Sequence, residues 1–392
     1  MIETTATTRH FLGMSAAAFL RDVWQRKPLL VRNAFANFSS PLRPDDLGGL
    51  ACEDFALSRL VTHDPASDRW TLRNGPFSES DFAELPESHW TLLVQDVDKW
   101  DADVAALLGP FDFLPSWRVD DVMVSYAEDG GSVGAHVDQY DVFLLQGQGR
   151  RRWQISTDAK APKDFRGDVE LKLLREFAPT HEWLLEPGDM LYLPPGVAHH
   201  GIAEGQCLTF SIGMRAPAVA EMVADFSGFL AERLNEELRY SDAGIKPARA
   251  AGEIDDAALE SIGRTLQDAL KVDAPTLRGW FGAFITRYRA AHEAVPRGKP
   301  MRDSEFRRRL EAGAGLQFNP WSRFAWSKAL RGASLFVAGD RYDCPRRLAE
   351  RLCSRRNLDP DELANLDNAS HELLLALVNA GHLAVGRNRS RP

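Results

Sequence analysis

Gly130-Gly131-Ser132-Val133-Gly134-Ala135-His136-Val137-Asp138-Gln139-Tyr140-Asp141 runs on to Gly149-Arg150-Arg151-Arg152-Trp153. Its three early glycines let the backbone turn sharply ahead of a His-x-Asp pair. His136 and Asp138 are two residues apart, so on a strand they point to the same face. Two of the three ligands of a facial triad for non-heme Fe(II) need that geometry. A lone His-x-Asp is common by chance, so the surrounding pattern has to carry the reading.

The pattern continues into a second strand. Val142 to Gln146 extends the first, and Gln146-Gly147-Gln148-Gly149 is expected to form a hairpin turn. On the returning stretch Arg150, Arg152 and Gln154 share one face, and Arg151, Trp153 and Ile155 share the other. A guanidinium grouped with an indole and an isoleucine faces inward, where it needs an anion. A small-molecule carboxylate suits its bidentate fork; a protein carboxylate would serve equally on spacing alone. Upstream, Ser125 lies on the face opposite Val122, Val124 and Tyr126.

A third piece lies 63 residues beyond His136, the interval to His199. Glu186-Pro187-Gly188-Asp189 turns into the strand Met190-Leu191-Tyr192-Leu193, Pro194-Pro195-Gly196 ends it, and His199-His200 follow. That spacing is enough for the strands of a barrel to bring His199 back to His136. The next strand places Cys207, Thr209, Ser211 and Gly213 on one face, and Leu208, Phe210, Ile212 and Met214 on the other. The small polar row either lines a ligand space or faces solvent on an edge strand. Short strands broken by glycine and proline from residue 121 onward indicate an antiparallel barrel or jelly roll.

With 392 residues, 44% hydrophobic and 26% charged, the chain has the composition of a soluble globular protein of two or three domains. It shows neither a signal-peptide pattern nor an apolar run near the ~20 residues of a membrane helix. Four cysteines without a CxxC pair fit reduced thiols in a cytoplasmic protein. Residues 301–392 hold 16 Lys+Arg against 11 Asp+Glu (+5); the whole-chain 47 and 56 leave 31 and 45 for residues 1–300 (−14). An acidic body attracts basic partners and repels nucleic acid.

Ahead of the barrel, residues 19–24 read as a helix and 29–32 as a strand. Residues 41–110 mix short elements, with Trp70, Trp90 and Trp100 as packing anchors and 90–95 as the clearest strand. After Pro217 helical spacing takes over at 219–234, 254–271 and 275–290. This apolar stripe fits an oligomer interface or an intramolecular bundle. Residues 291–303 read as a linker. Strands near 323–338 and helices at 345–356, 360–366 and 372–380 suggest a winged-helix-like module. Its first helix carries Arg346, Arg347, Arg351, Arg355 and Arg356, suited to nucleic acid or to a solvated or protein-binding face.

Taken together, Gly-x-His-x-Asp-Gln-Tyr-Asp-Val-Phe, Gly-Arg-Arg-Arg-Trp and Pro-Gly-Asp-x-Leu-Tyr-x-Pro-Pro-Gly-x-x-His-x-Gly resemble the JmjC-type bacterial ribosomal oxygenases, cupin-like enzymes that hydroxylate ribosomal-protein arginine. The likeness extends to Trp24-Gln25-Arg26-Lys27-Pro28-Leu29 and Ser211-Ile212-Gly213-Met214-Arg215-Ala216-Pro217. It implies a mixed α+β chain: a double-stranded β-helix (jelly roll) catalytic domain at 1–217, a helical dimerisation region at 218–295 and a winged-helix-like domain at 296–392. His136, Asp138 and His199 match the iron ligands, with His200 as neighbour. Arg151 matches the residue that grips the distal carboxylate of 2-oxoglutarate. Ser125 and Ser211 are candidates for supporting cofactor contacts. Fe(II), 2-oxoglutarate and O2 are the implied cofactor and cosubstrates. An arginine β-carbon of large-subunit ribosomal protein sixteen is the implied target, with a cytoplasmic homodimer needing neither nucleic acid nor membrane. Asp120, Asp121, Glu128 and Asp141 are candidates by charge for holding the substrate guanidinium.

Three rivals remain at this point. They are lysyl demethylation or hydroxylation of another protein, a cupin isomerase in which Arg151 binds substrate directly, and a non-enzymatic cupin–winged-helix regulator.

Overall fold

The computed structural model describes residues 2–247, 250–288, 292–354, 357–364 and 366–387. The chain divides into two compact units, Met1–Ala216 and Pro217–Pro392.

The first unit opens with β1 (Glu3–Thr5), α1 (Ala16–Asp22) and β2 (Leu29–Arg32). Ser15 starts α1 by accepting from the Ala18 amide at 3.2 Å, satisfying one of the donors orphaned at a helix N-terminus. Next come α2 (Pro44–Ala51), β3 (Ser58–Asp64), β4 (Arg69–Asn74), α3 (Glu79–Ala83), β5 (Trp90–Val94), α4 (Val97–Trp100) and α5 (Ala102–Ala106). The barrel strands follow as β6 (Val119–Ala127), β7 (His136–Val137), β8 (Val142–Ser156), β9 (His181–Leu185), β10 (Met190–Leu193) and β11 (Ala198–Met214).

Two long strands organise this unit. β8 and β11 pair antiparallel from Val142↔Gly213 to Ser156↔Ala198. At one end the ribbon lies within the order β1-β2-β10-β8-β11-β6-β5-β3-β4; at the other it is flanked by β9 and β7. The two ends are the two sheets of a jelly-roll sandwich, joined by strands common to both.

That architecture corrects one expectation. Gln146 to Gly149 is not a hairpin turn: β8 continues through it without a break, and the register slips opposite, between Glu204, Leu208 and Thr209. Glycine is required there by contact. A Cβ on Gly147 would stand 2.4 Å from Phe210, and one on Gly149, whose φ is +63°, 1.9 Å from the Gln206 carbonyl. The glycines therefore bend and bulge the strand between sheets rather than reverse it.

Val122, Val124, Phe143, Leu145, Leu208, Phe210, Ile212 and Tyr192 fill the main core with Phe19 and Phe111. Trp24 stacks on Tyr192 and Phe143 at 5.6 and 6.2 Å. Asp141 is fully buried at its edge, accepting from Tyr192 at 2.7 Å, Gln25 at 2.9 Å and Arg118 at 3.1 Å. With those bonds made it is a structural acceptor, not a substrate-facing one. Trp90 packs on Tyr126, whereas Trp100 stacks on half-exposed Phe55 and Trp70 on His63.

The second unit contains α6 (Val219–Ala231), α7 (Asp256–Ala269), α8 (Ala274–Arg287), α9 (Asp303–Glu311), β12 (Ala314–Phe318), β13 (Phe324–Lys328), β14 (Ala333–Val337), β15 (Asp340–Cys344), α10 (Arg346–Ser354), β16 (Asn357–Leu358), α11 (Pro360–Leu363), α12 (Asn368–Asn379) and β17 (Leu383–Arg387). Its sheets run β16-β12-β17 and β13-β14-β15. Helices α9 to α12 pack with them around Phe306, Leu335, Leu348, Leu352, Leu374 and Leu377. Trp280 and Arg287 of α8 both bond to Asp225 of α6, at 2.8 and 2.6 Å. Gly282 lets α8 lie on Phe336, where a Cβ would come within 2.4 Å. Arg355 and Arg356 of the expected basic helix, and residues 289–291 around the expected linker, lie outside the described residues. No helix among the described residues is long and apolar enough to cross a membrane.

Candidate active site

The short β7 places His136 directly opposite His199 at the start of β11, with their rings 4.2 Å apart. Asp138, two residues on, reaches the same point. Its Oδ2 is 3.6 Å from His199 Nε2 and 3.9 Å from His136 Nε2. All three ligand atoms lie within 4.8 Å of one another.

The tautomers follow from the backbone. His136 Nδ1 lies 2.9 Å from the Gly134 carbonyl and His199 Nδ1 3.0 Å from that of Val197. A carbonyl only accepts, so each Nδ1 carries the proton and each Nε2 turns a lone pair toward the shared point. Burial, and then His136, hold His199 well below the ordinary histidine range, so it is neutral as a ligand must be. Burial raises the Asp138 carboxyl, opposed by His136 and by a hydrogen bond from Tyr140. A bound divalent cation would favour the ionised form. His200 projects to the opposite face, packs edge-on to Phe177 at 6.1 Å and is pushed down to about 4, chiefly by burial.

Arg151 is inward, as its pattern predicts, and only 4% exposed. Its Nη1 donates to Ser125 at 3.1 Å and Thr209 at 3.2 Å. Thr209 in turn donates to Gln146 at 3.1 Å. Arg151 Nε and the neighbouring Trp153 Nε1 are buried and have no hydrogen-bond partner among the described residues. The guanidinium is 5.7 Å from the Trp153 ring, which is 5.9 Å from His199. The indole lies over Gly201, where a Cβ would come within 2.7 Å of it. A buried cation held by hydroxyls, with a donor left over, is incomplete without an anion. A neutral-imidazole and carboxylate donor set beside it fits a divalent first-row metal and a dicarboxylate.

The other sequence candidates separate cleanly. Ser125 touches Arg151; Ser211 is buried one step beyond Thr209, opposite Met123 and Leu144 in the register. The row of small polar residues is thus interior, not an edge facing water. Thr209 belongs to the Arg151 network and Tyr140 to Asp138, and the sequence pattern singles out neither. Thr209 was in the small polar row, but choosing it over Ser211 requires the cross-strand register. Asp121 lies beside Gly213, its Oδ1 3.1 Å from where a Cβ would stand, and accepts from the Asp96 amide at 3.1 Å. Burial, then Asp96 and Asp120, push it up to about 7. Asp120 pairs with Arg215 at 3.2 Å. Glu128 accepts from Tyr126 and Gln206.

Fold and site define a JmjC-type cupin: a jelly roll whose interior holds a His/Asp/His cluster able to bind a metal and, beside it, a buried arginine without a carboxylate partner among the described residues. The comparisons agree. The JmjC domain family matches residues 106–222, the ROXA-like winged helix residues 267–384 and the AraC-like ligand binding domain residues 180–293. The chain is 34% identical over 368 residues to the ribosomal protein uL16 3-hydroxylase of Escherichia coli (strain K12), covering 93% of this chain and 96% of that one. A probable ribosomal oxygenase of Haemophilus influenzae is 37% identical over 257 residues, 64% of this chain and 63% of its own. The solved structure of E. coli YcfD superposes with a TM-score of 0.85 at 32% identity, covering 96% of this chain and 99% of that one. The YcfD complex with cobalt and 2-oxoglutarate gives 0.82 at 32% identity, over 95% and 99%. This chain belongs to the JmjC-domain ribosomal oxygenases.

Proposed function

We propose that the protein is an Fe(II)- and 2-oxoglutarate-dependent dioxygenase that hydroxylates the β-carbon of an arginine in ribosomal protein uL16. The observation that carries this is the convergence of His136, Asp138 and His199 on one point beside the buried Arg151, within a chain 34% identical to a uL16 3-hydroxylase.

In this reading His136 and His199 donate their Nε2 lone pairs and Asp138 a carboxylate oxygen to the metal. Bound there with 2-oxoglutarate and dioxygen, Fe(II) supplies the oxidising chemistry that inserts one oxygen atom into a C–H bond. Arg151 holds the distal carboxylate of 2-oxoglutarate with the donors left over from Ser125 and Thr209, and Ser211 lines the same face. Trp153 keeps water from the space between Arg151 and His199, so the ion pair forms at low dielectric. The Tyr140 hydroxyl fixes the orientation of Asp138. Asp121, held partly protonated near neutrality, is the acceptor for the substrate guanidinium, whose charge favours its ionised form.

The −14 charge of residues 1–300 suits a basic ribosomal protein as partner and disfavours nucleic acid on that part of the chain. We assign residues 1–217 to catalysis, 218–295 to self-association and 296–392 to a winged-helix-like domain. Leu259, Ile262 and Leu266 of α7, with Leu270 at its C-terminal cap, form an exposed apolar stripe, the face a second copy would cover. The four free cysteines and a ribosomal substrate support a cytoplasmic location. The test is intact-mass and fragment spectrometry of recombinant uL16 incubated with the protein, Fe(II) and 2-oxoglutarate. One added oxygen on one arginine is expected; unmodified uL16 with intact enzyme would refute the assignment.

A further inference from the structure

Residues 157–180, which connect β8 to β9, play no part in the site as described, yet they touch both turns that deliver metal ligands. The connection folds on itself as a small hairpin: Phe165 bridges to Leu174, the Arg166 amide donates to the Leu173 carbonyl and that of Arg175 to the Asp164 carbonyl, both at 2.8 Å. One arm of the hairpin meets the turn ahead of His136. The Leu174 amide donates to the Ala135 carbonyl at 2.8 Å, and buried Leu173 packs so closely on Gly134 that a Cβ there would be 2.6 Å from it. The other arm meets the turn ahead of His199. Lys163 Nζ donates to the Gly196 carbonyl at 2.8 Å, and the Gly196 amide donates to the Asp138 carbonyl at 2.8 Å.

The hairpin is tethered at its tip. Arg166 reaches the Asp68 carboxylate at 2.7 Å and its carbonyl at 3.2 Å, and pairs with Asp168 at 2.7 Å. Asp68 also takes His63 Nε2 at 3.0 Å and Trp70 Nε1 at 3.3 Å, beneath a His63–Trp70 stack with rings 4.0 Å apart. The strap is therefore fixed to the β3–β4 hairpin at one point and to both ligand turns at two others.

We propose that this segment is a positioning strap for the metal centre, with Leu173 acting on His136 and Lys163 acting on the Gly196 turn. The inference rests on reading His136, Asp138 and His199 as metal ligands. Gly134 and Gly196 both have positive φ, +77° and +83°, a conformation that glycine adopts but readily leaves. Turns of that kind hold a ligand in place only when packed from outside. Ligand geometry must be kept within about 0.5 Å, and losing an outer contact to a ligand typically costs about 10- to 100-fold in metal affinity.

The test is Co(II) titration of the ligand-free full chain, followed by its visible absorption, with the melting temperature of the metal-free protein measured in parallel. Lys163→Met should weaken Co(II) binding about tenfold with the metal-free melting temperature unchanged, and Lys163→Arg should restore it. Arg166→Ala, which frees the tip, should weaken binding in the same direction, and Leu173→Ala more strongly. Lys163→Met and Arg166→Ala proteins that bind Co(II) as the wild type does would overturn the strap while leaving the metal assignment standing. Wild-type protein that binds no Co(II) would overturn the metal assignment and the strap together.

Discussion

Replacing Arg151 with methionine should separate binding from stability. Arg151 is 4% exposed; its guanidinium donates to two neutral hydroxyls and leaves Nε unpartnered among the described residues. In the ligand-free protein it is a buried charge with incomplete compensation, and apolar replacements of buried charges are often stabilising, by about 1–4 kcal/mol. Thr209 keeps a partner because its own proton goes to Gln146. Ser125 loses one, which costs about 1 kcal/mol. The net expectation is a ligand-free Arg151→Met protein more stable than wild type by up to about 3 kcal/mol. In the loaded protein the same change removes two charge-assisted hydrogen bonds, about 3–6 kcal/mol together, or roughly 10²- to 10⁴-fold in 2-oxoglutarate affinity. Urea unfolding of the metal-free proteins measures the first effect. Anaerobic calorimetric titration of 2-oxoglutarate into the Co(II)-loaded proteins measures the second. A 2-oxoglutarate affinity within about threefold of wild type would refute the cofactor role. A ligand-free variant destabilised by several kcal/mol would show that Arg151 is structural instead.

The remaining expectations test other parts of the site. His136→Ala should abolish Co(II) binding and succinate release while leaving the metal-free fold intact, since His136 is half-buried and its side chain's hydrogen bond is to its own turn, at the Gly134 carbonyl; calorimetry and circular dichroism check this. Gly201→Ala puts a methyl group within 2.7 Å of the Trp153 ring, so it should cost about 1–3 kcal/mol in urea unfolding and weaken the His199 ligand; unchanged unfolding would sink the contact argument. Asp121 has a folded value near 7, above its ordinary 3.8, so its contribution to stability is full below 3.8 and lost as pH rises through about 7. Asp121→Asn should therefore flatten the fall in stability between pH 4 and 8, worth up to about 4 kcal/mol, and raise the KM for uL16; a parallel pH profile would refute it. Leu266→Asp on α7 should shift the protein from dimer to monomer in sedimentation velocity, and an unchanged sedimentation coefficient would refute the proposed association face.

What was legible in the sequence was whatever depends on a period of two. His136 with Asp138, Arg151 with Trp153, and Ser125 opposite Val124 each need only alternation along one strand. What was hidden depends on pairing between strands far apart in sequence. Choosing Thr209 over Ser211 as the partner of Arg151 requires knowing that β11 slips by a residue against β8. Nor could the sequence separate a glycine turn from a glycine bend. Gly147 and Gly149 are spaced as either would have them, and only the approach of Phe210 and Gln206 decides. Asp141 looked like a substrate carboxylate by its place beside the His-x-Asp pair; its three donors come from Gln25, Arg118 and Tyr192, all remote in the chain. β12, β16 and β17 escaped for the same reason, being short strands that exist only as partners of one another.

The bend at Gly147 and Gly149 does more than correct a turn. Had β8 reversed there, Arg151 and Ile155 would belong to a separate hairpin whose distance from His199 was free to vary. Because β8 continues, Arg151, Trp153 and Ile155 stand opposite Ala203, Gly201 and His199 along one ribbon. Arg151 and the rung of His199 are then four residues apart, about 13 Å between Cα atoms. Trp153 stands in the interval, its ring over Gly201, 5.7 Å from the guanidinium and 5.9 Å from His199. With the metal held by His136, Asp138 and His199 as proposed, a guanidinium at a fixed spacing from it on a paired ribbon would select an anion by length as well as charge. The cost of burying Arg151 without a carboxylate partner is what keeps that selection strict: an anion too short to reach from the metal leaves the guanidinium uncompensated.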